Sequence, residues 1–180
     1  MAGSPGLRPV LERLARLSRH DPHDPDLRMV VQARAQDACE YCLMPTVMRF
    51  EIDHVIPHGR WQNYLDGKLL VQPHLGERGP DHLDNFAWSC SFCNGTKREQ
   101  TSWRVGRQRF SLFNPRRARW SEHFVFADHF LFVVGVTEIG RATERAVGFN
   151  DPRRGGPLGA RHRAIVEGRY PPPWARDWGY

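Results

Sequence analysis

Lysine is almost missing from this chain. Of 26 basic residues only Lys68 and Lys97 are lysine, so a net charge of +6 rests on arginine. Cysteine is confined to four residues with none to spare, which leaves no surplus thiol for an extended disulfide framework. Long apolar runs are absent, and nothing approaches the roughly 20 residues of a membrane-spanning helix, so no membrane association is expected. Residues 1–20 alternate Leu with Arg and Glu and lack the apolar stretch of a secretory signal; a cytoplasmic location is the expectation. There is no internal repeat and no low-complexity segment.

What is present is ordinary globular material. The 180 residues are 40% apolar and 26% charged, which suits a single domain with its own core rather than two domains or a disordered chain. A basic, arginine-rich domain of pI about 9.6 suits a phosphate-bearing partner, with a merely solvated basic surface as the alternative.

Local patterning predicts a mixed fold. Leu7, Val10, Leu11, Leu14 and Leu17 recur at helical spacing, and the Asp21-Pro22-His23-Asp24-Pro25-Asp26 stretch then breaks that helix. Asp26 reads as the N-cap of a second helix over about residues 27–37. Val47 to Ile56 reads as a strand or hairpin ended by Pro57 and Gly59, and residues 59–83 as a long loop with a helical turn near Trp61 to Leu65. Asp84 to Arg98 reads as helical. Phe124-Val-Phe and Phe130-Leu-Phe-Val-Val flank a turn as a hairpin, Arg141 to Val147 and Leu158 to Gly168 read as helices, and Pro171 to Pro173 as an extended tail.

The four cysteines form two pairs, Cys39-Glu-Tyr-Cys42 and Cys90-Ser-Phe-Cys93, separated by 47 residues. Each two-residue spacer lets both sulfurs reach one metal, and two such pairs can close a tetrahedral thiolate site of the kind zinc favours; buried or redox thiols are the alternative. A reducing cytosol favours metal-bound thiolates over disulfides. A closed four-thiolate site would stabilise the fold and leave no open coordination position for chemistry.

Between the pairs lies Asp53-His54. Hydrolysis of a phosphodiester needs a deprotonated water and neutralisation of charge on the phosphorus oxygens. A neutral imidazole can take the proton, and a carboxylate can hold Mg²⁺ against the phosphate. Adjacent residues of a regular strand face opposite ways, so the two share a site only where the chain bends. Asn85 follows Asp84 at an expected helix start, where a short polar side chain caps backbone groups. Asn94 adjoins Cys93, with Lys97 three residues on: its amide can ligate Mg²⁺ or cap a turn, and Lys97 can meet a phosphate.

Taken together, Cys-x-x-Cys, Glu51-Ile-Asp-His-Val-Ile-Pro57 and Asp84-Asn-Phe-Ala-Trp-Ser-Cys-Ser-Phe-Cys-Asn-Gly-Thr-Lys97 resemble the HNH endonuclease family over roughly residues 36–100. Ser111 to Arg116, Trp120 to Phe124 and Thr137 to Thr143 resemble the C-terminal extension of a bacterial stand-alone subgroup. The resemblance implies a ββα-metal core, His54 as general base, Asn85 bracing the loop that bears it, and Asp53 and Asn94 as ligands of a catalytic Mg²⁺ or Mn²⁺. The 30 residues between His54 and Asn85 exceed the loop of compact members, and Gly59-Arg60 stands where many members have Gly-Gly. His58 could contact phosphate or support the fold, whereas His74, His82, His123 and His129 read as structural or surface residues.

Lys97, Arg98, Arg104, Arg107, Arg109, Arg116, Arg117 and Arg119 are interleaved with Trp103, Phe110 and Phe113, a pattern that suits phosphate contacts or an exposed basic face. The expectation is therefore an α+β protein: a helical extension over residues 1–37, a zinc-stapled nuclease core over 38–100, and a basic extension with a hairpin over 101–180. The expected activity is metal-dependent cleavage of DNA, with RNA left open, one strand per site, and with a homodimer or partner protein able to supply the second cut. The rival readings are a non-catalytic, zinc-stabilised nucleic-acid-binding protein and a nuclease subunit of a larger defence or repair complex.

Overall fold

The structure, a computed structural model, describes residues 7–46, 49–71, 78–153 and 157–178. The start of the expected strand at Val47 and the expected surface residue His74 lie outside them. The fold is α+β: helices and three two-stranded antiparallel sheets, β1-β2, β3-β4 and β5-β6.

Helix α1 (Leu7–Ala15) buries Leu14 and packs on α2 (Pro25–Arg34), which buries Leu27, Val30 and Val31. Arg13 ties the two together by donating to Asp24 and Asp26. The N-cap of α2 is Asp24 rather than Asp26: its carboxylate accepts from Asp26 N at 2.8 Å and Leu27 N at 3.3 Å. Pro25 is the reason, because proline suits the first helical position, where its missing N–H would be unpaired anyway, so the cap falls one residue before it.

β1 (Phe50–His54) pairs with β2 (Phe86–Cys90) in the register Phe50 to Cys90 through His54 to Phe86. Between them run a 3-10 turn over His58–Arg60, α3 (Trp61–Leu65) and a second 3-10 turn over Leu83–Asn85. After β2 the chain enters α4 (Ser91–Lys97). The helix expected from Asp84 onward is thus a strand followed by a short helix. All five residues of β2 are buried, and a run buried on both faces carries no period by which to tell strand from helix.

β3 (Ser102–Val105) and β4 (Gln108–Ser111) form a hairpin turning at Gly106, whose φ of +60° glycine adopts freely. Its arginines are surface positions of strands, and read as a charge run they concealed the pairing. α5 (Trp120–His123) leads into β5 (Phe124–Ala127), paired with β6 (Phe132–Gly135) where a hairpin was expected. α6 (Glu138–Val147) packs across β3, β4, β6 and α4, and α7 (Pro157–Val166) follows. The α6–β6 contact is a backbone approach: a Cβ on Gly135 would stand 2.3 Å from Arg141 N, and one on Gly140 2.1 Å from the His123 carbonyl oxygen. The tail is extended at Pro172, as expected, and then makes a 3-10 turn over Pro173–Ala175.

One hydrophobic cluster runs through all three expected segments, from Leu14 and Leu27 through the cysteines to Phe126, Tyr170 and Ala175. The C-terminal part also clamps the first cysteine pair directly. Trp120 Nε1 donates to Tyr41 O at 2.8 Å, and the Tyr170 hydroxyl donates to Cys42 O at 3.0 Å. No helix among the described residues is long and apolar enough to cross a membrane.

Candidate functional site

The cysteine pairs converge. Cys39 and Cys42 sit in a tight turn closed by the Ala38–Pro45 bridge, and Cys90 and Cys93 at the β2–α4 junction; all four are buried, with sulfurs within 4.8 Å of one another. Cys42 Sγ and Cys90 Sγ are 3.8 Å apart, far beyond a disulfide bond, and all four thiols are free. A zinc–sulfur bond of about 2.3 Å gives a tetrahedron with an edge of about 3.8 Å. Burial opposes ionisation of Cys39, but hydrogen bonds from the other three sulfurs outweigh it and bring that thiol well below its ordinary value. Cys90, chiefly through its bond to Cys39, and Cys93, chiefly through burial, are pushed well above theirs. Such a cluster holds further negative charge only with a cation among its sulfurs, and the four donors suit a metal such as zinc.

β1 carries two sets of side chains on opposite faces. On one face Asp53, only 4% exposed, accepts from Tyr41 Oη at 2.6 Å and pairs with Lys97 Nζ at 3.0 Å. Lys97 is itself 1% exposed and also donates to His54 O. Burial, reinforced by the neighbouring Asp53, pushes the Tyr41 hydroxyl well above its ordinary value, so it remains a donor. Two residues earlier on the same face, Glu51 accepts from Asn94 Nδ2 at 2.7 Å. Helix α4 therefore lays Asn94 and Lys97, three residues apart, over Glu51 and Asp53, two apart. The expected divalent-ion pair does not fit this arrangement. Both Asp53 oxygens already accept hydrogen bonds, an ammonium stands where the cation would, and Asn94 is turned to Glu51.

The other face carries His54. Its Nε2 lies 3.0 Å from Asp81 Oδ1, and His58 Nε2 lies 2.6 Å from the same oxygen. Arg19 Nε donates to Asp81 Oδ2 at 2.6 Å. Burial raises the Asp81 carboxyl, but these three donors outweigh it and hold the group below its ordinary value, as an anion 6% exposed. A carboxylate only accepts, so His54 Nε2 carries the proton and Nδ1 is the free lone pair. Burial, the largest influence, holds His54 below its ordinary value against the pull of Asp81, so the ring is neutral near pH 7.

Asn85 fixes this geometry. Buried completely, it accepts from Ile56 N at 2.9 Å and donates to Ile56 O at 2.9 Å and Pro80 O at 2.8 Å. It thereby clips together the two ends of the long connection just beyond His54 and just before Asp81. Neither Asp81 nor Arg19 carried a signal in the sequence. The one hint was Asn85, since a brace on the His54 loop brings whatever precedes residue 85 to the same place.

The imidazoles open onto clefts. One of about 300 Å³ is lined by Arg19, His58, Arg78 and Asp81, and one of about 560 Å³ by Arg28, Arg49, Glu51 and His54. The basic run after Lys97 is more divided than its spacing suggests. Arg98, Arg117 and Arg119 are exposed, whereas Lys97 is enclosed and Arg116 is 10% exposed against Glu40. Burial, with nearby Arg34, lowers the Arg116 guanidinium to about 9. Glu40 in turn accepts from Trp88 N, so Arg116 ties the C-terminal segment to the first cysteine turn. The chain matches no protein-family model, no curated protein and no solved structure.

Proposed function

We propose that the protein is a metal-dependent endonuclease of the HNH type that hydrolyses DNA phosphodiester bonds, one strand per site. The observation that carries the reading is His54: a neutral imidazole, oriented by an anionic Asp81 and a braced loop, at an arginine-lined cleft. Nδ1 takes a proton from water attacking phosphorus. The imidazolium that forms is stabilised by its Nε2–H bond to Asp81, and the cleft arginines meet the phosphate. Asn85 is a positioning residue, since it touches only backbone. By the resemblance the reaction depends on Mg²⁺ or Mn²⁺, while Asp53 is committed to Lys97 and Asn94 to Glu51.

The enclosure of Asp53 by Lys97 and Tyr41 favours a second reading, a zinc-stabilised nucleic-acid-binding protein without catalysis. Incubation of the zinc-loaded protein with supercoiled plasmid, with and without Mg²⁺ or Mn²⁺, separates the two. The nuclease reading expects metal-dependent nicking that His54→Ala lowers by about 100-fold or more. Retention of the plasmid without nicking supports the binding reading, and nicking by His54→Ala at the parent rate removes His54 from the chemistry.

A further inference from the structure

We propose that His54, His58 and Asp81 form a second metal site, separate from the cysteine cluster, for a borderline divalent cation such as Co²⁺, Ni²⁺ or Zn²⁺. Their donor atoms all lie within 4.8 Å of one another, and both Nε2 atoms converge on a single oxygen, Asp81 Oδ1. Metal–ligand bonds of about 2.0–2.1 Å place neighbouring donors about 2.9 Å apart in an octahedral site and about 3.4 Å in a tetrahedral one. The observed separations of 3.0 and 2.6 Å match the octahedral spacing to within about 0.3 Å, and the tetrahedral one requires the His58 contact to open by about 0.8 Å. His58 is half exposed and can give way, while Asp81 is buried and held from behind by Arg19 on its other oxygen. That bond leaves Oδ1 to the cation and supplies the outer support that orients ligating carboxylates.

Two imidazoles and one carboxylate select a borderline cation over Mg²⁺, which takes oxygen donors. Three protein ligands on a cleft-facing cluster leave positions for water. Entry is provided by the cleft of about 300 Å³ and a neighbouring one of about 450 Å³, both lined by Arg19, His58 and Asp81.

Seating the cation has a chemical consequence. In its absence His54 carries Nε2–H toward Asp81. To ligate, His54 moves that proton to Nδ1 and gives the Nε2 lone pair to the metal, and His58 offers its own Nε2 from the other side. His54 then has no lone pair left to accept a proton from water. The site itself stands on its three donors, and the inhibition it implies rests on the nuclease reading.

The test uses the full chain with its cysteine site filled by zinc, equilibrated with Co²⁺ and assayed for both metals. The expected result is one tightly held zinc plus one exchangeable Co²⁺ per chain. His58→Ala should weaken Co²⁺ binding by about 100-fold or more, at unchanged zinc content. Asp81→Asn should do the same, and if that buried change prevents folding, His58→Ala still decides. Failure to bind a second metal, or equal Co²⁺ affinity in the parent, His58→Ala and His54→Ala, overturns the site. Co²⁺ bound here by a chain that nicks no plasmid under any condition refutes the nuclease reading and leaves the metal site standing.

Discussion

Replacing Lys97 with methionine probes the most consequential contact in the core. The ammonium is 1% exposed and lies 3.0 Å from Asp53, itself 4% exposed. Methionine keeps most of the volume of the stem and removes the charge together with the bond to His54 O, so the main cost is that of leaving a buried carboxylate without its cation. Breaking a buried pair from one side costs about 3–5 kcal/mol. Tyr41 still donates to Asp53, which favours the lower end of that range. In a chain of 180 residues about 1 kcal/mol moves the melting temperature by roughly 2–4 °C, so a fall of roughly 6–20 °C is expected.

The assay is thermal and urea unfolding at fixed excess zinc, because metal linkage would otherwise mix with the charge effect. Combining Lys97→Met with Asp53→Asn removes both charges and closes a double-mutant cycle, in which the pair should be recovered as a coupling of at least about 1–3 kcal/mol. A neutral Lys97→Met, or a cycle without coupling, would show that Asp53 does not spend its time against Lys97. The carboxylate would then be available to a divalent ion, and the assignment of Asp53 to the core would fall.

Stripping the thiolate metal with a strong chelator should unfold the chain cooperatively, since Trp120, Tyr41 and Tyr170 pack around the cysteine turns; retention of native circular dichroism by metal-free protein would refute this. Gly135→Ala should destabilise by about 3 kcal/mol, because the added carbon meets backbone of α6 rather than a movable side chain; a loss below about 0.5 kcal/mol in urea unfolding would mean that α6 sits farther from β6. Arg116→Ala should lower stability through an unpaired Glu40 while leaving the salt dependence of DNA binding unchanged. Arg117→Ala and Arg119→Ala should each flatten the slope of log affinity against log salt by about one if those exposed residues meet phosphate, and unchanged slopes would make them a solvated face.

The parts of this fold that were legible in the sequence are those with a local cause. The α1 stripe, the β5-β6 hairpin and α6 announce themselves by period and flanking residues, and the cysteine spacing foretells a four-sulfur cluster because a two-residue spacer has few geometries. The hairpin carrying Arg104 and Arg109 was hidden because surface arginines on paired strands look like any basic run. Arg116 was misplaced among them because nothing local marks the one guanidinium that folds back onto Glu40. Asp81 and Arg19 were invisible for a different reason: their meeting with His54 depends on where a long connection returns, which Asn85 decides through bonds to Ile56 and Pro80.

The Asp53-His54 doublet shows how far strand geometry alone constrains function. Side chains alternate along a strand, and β1 keeps regular pairing with β2 through His54 and Phe86. No bend intervenes within the doublet, so the two side chains must serve different surroundings. Asp53 turns toward α4, where a helix supplies Lys97. His54 turns toward the returning connection, where Asp81 supplies an anion and the clefts supply access. A carboxylate and an imidazole adjacent in sequence thus become a member of a buried ion pair and a cleft-facing imidazole. Any chemistry requiring both at one phosphate would have to break the pairing of β1 at its end, and that pairing is held by Val55 N bonding to Asn85 O and by the Asn85 clip on Ile56. The residue that orients His54 is therefore also the residue that keeps Asp53 away from it.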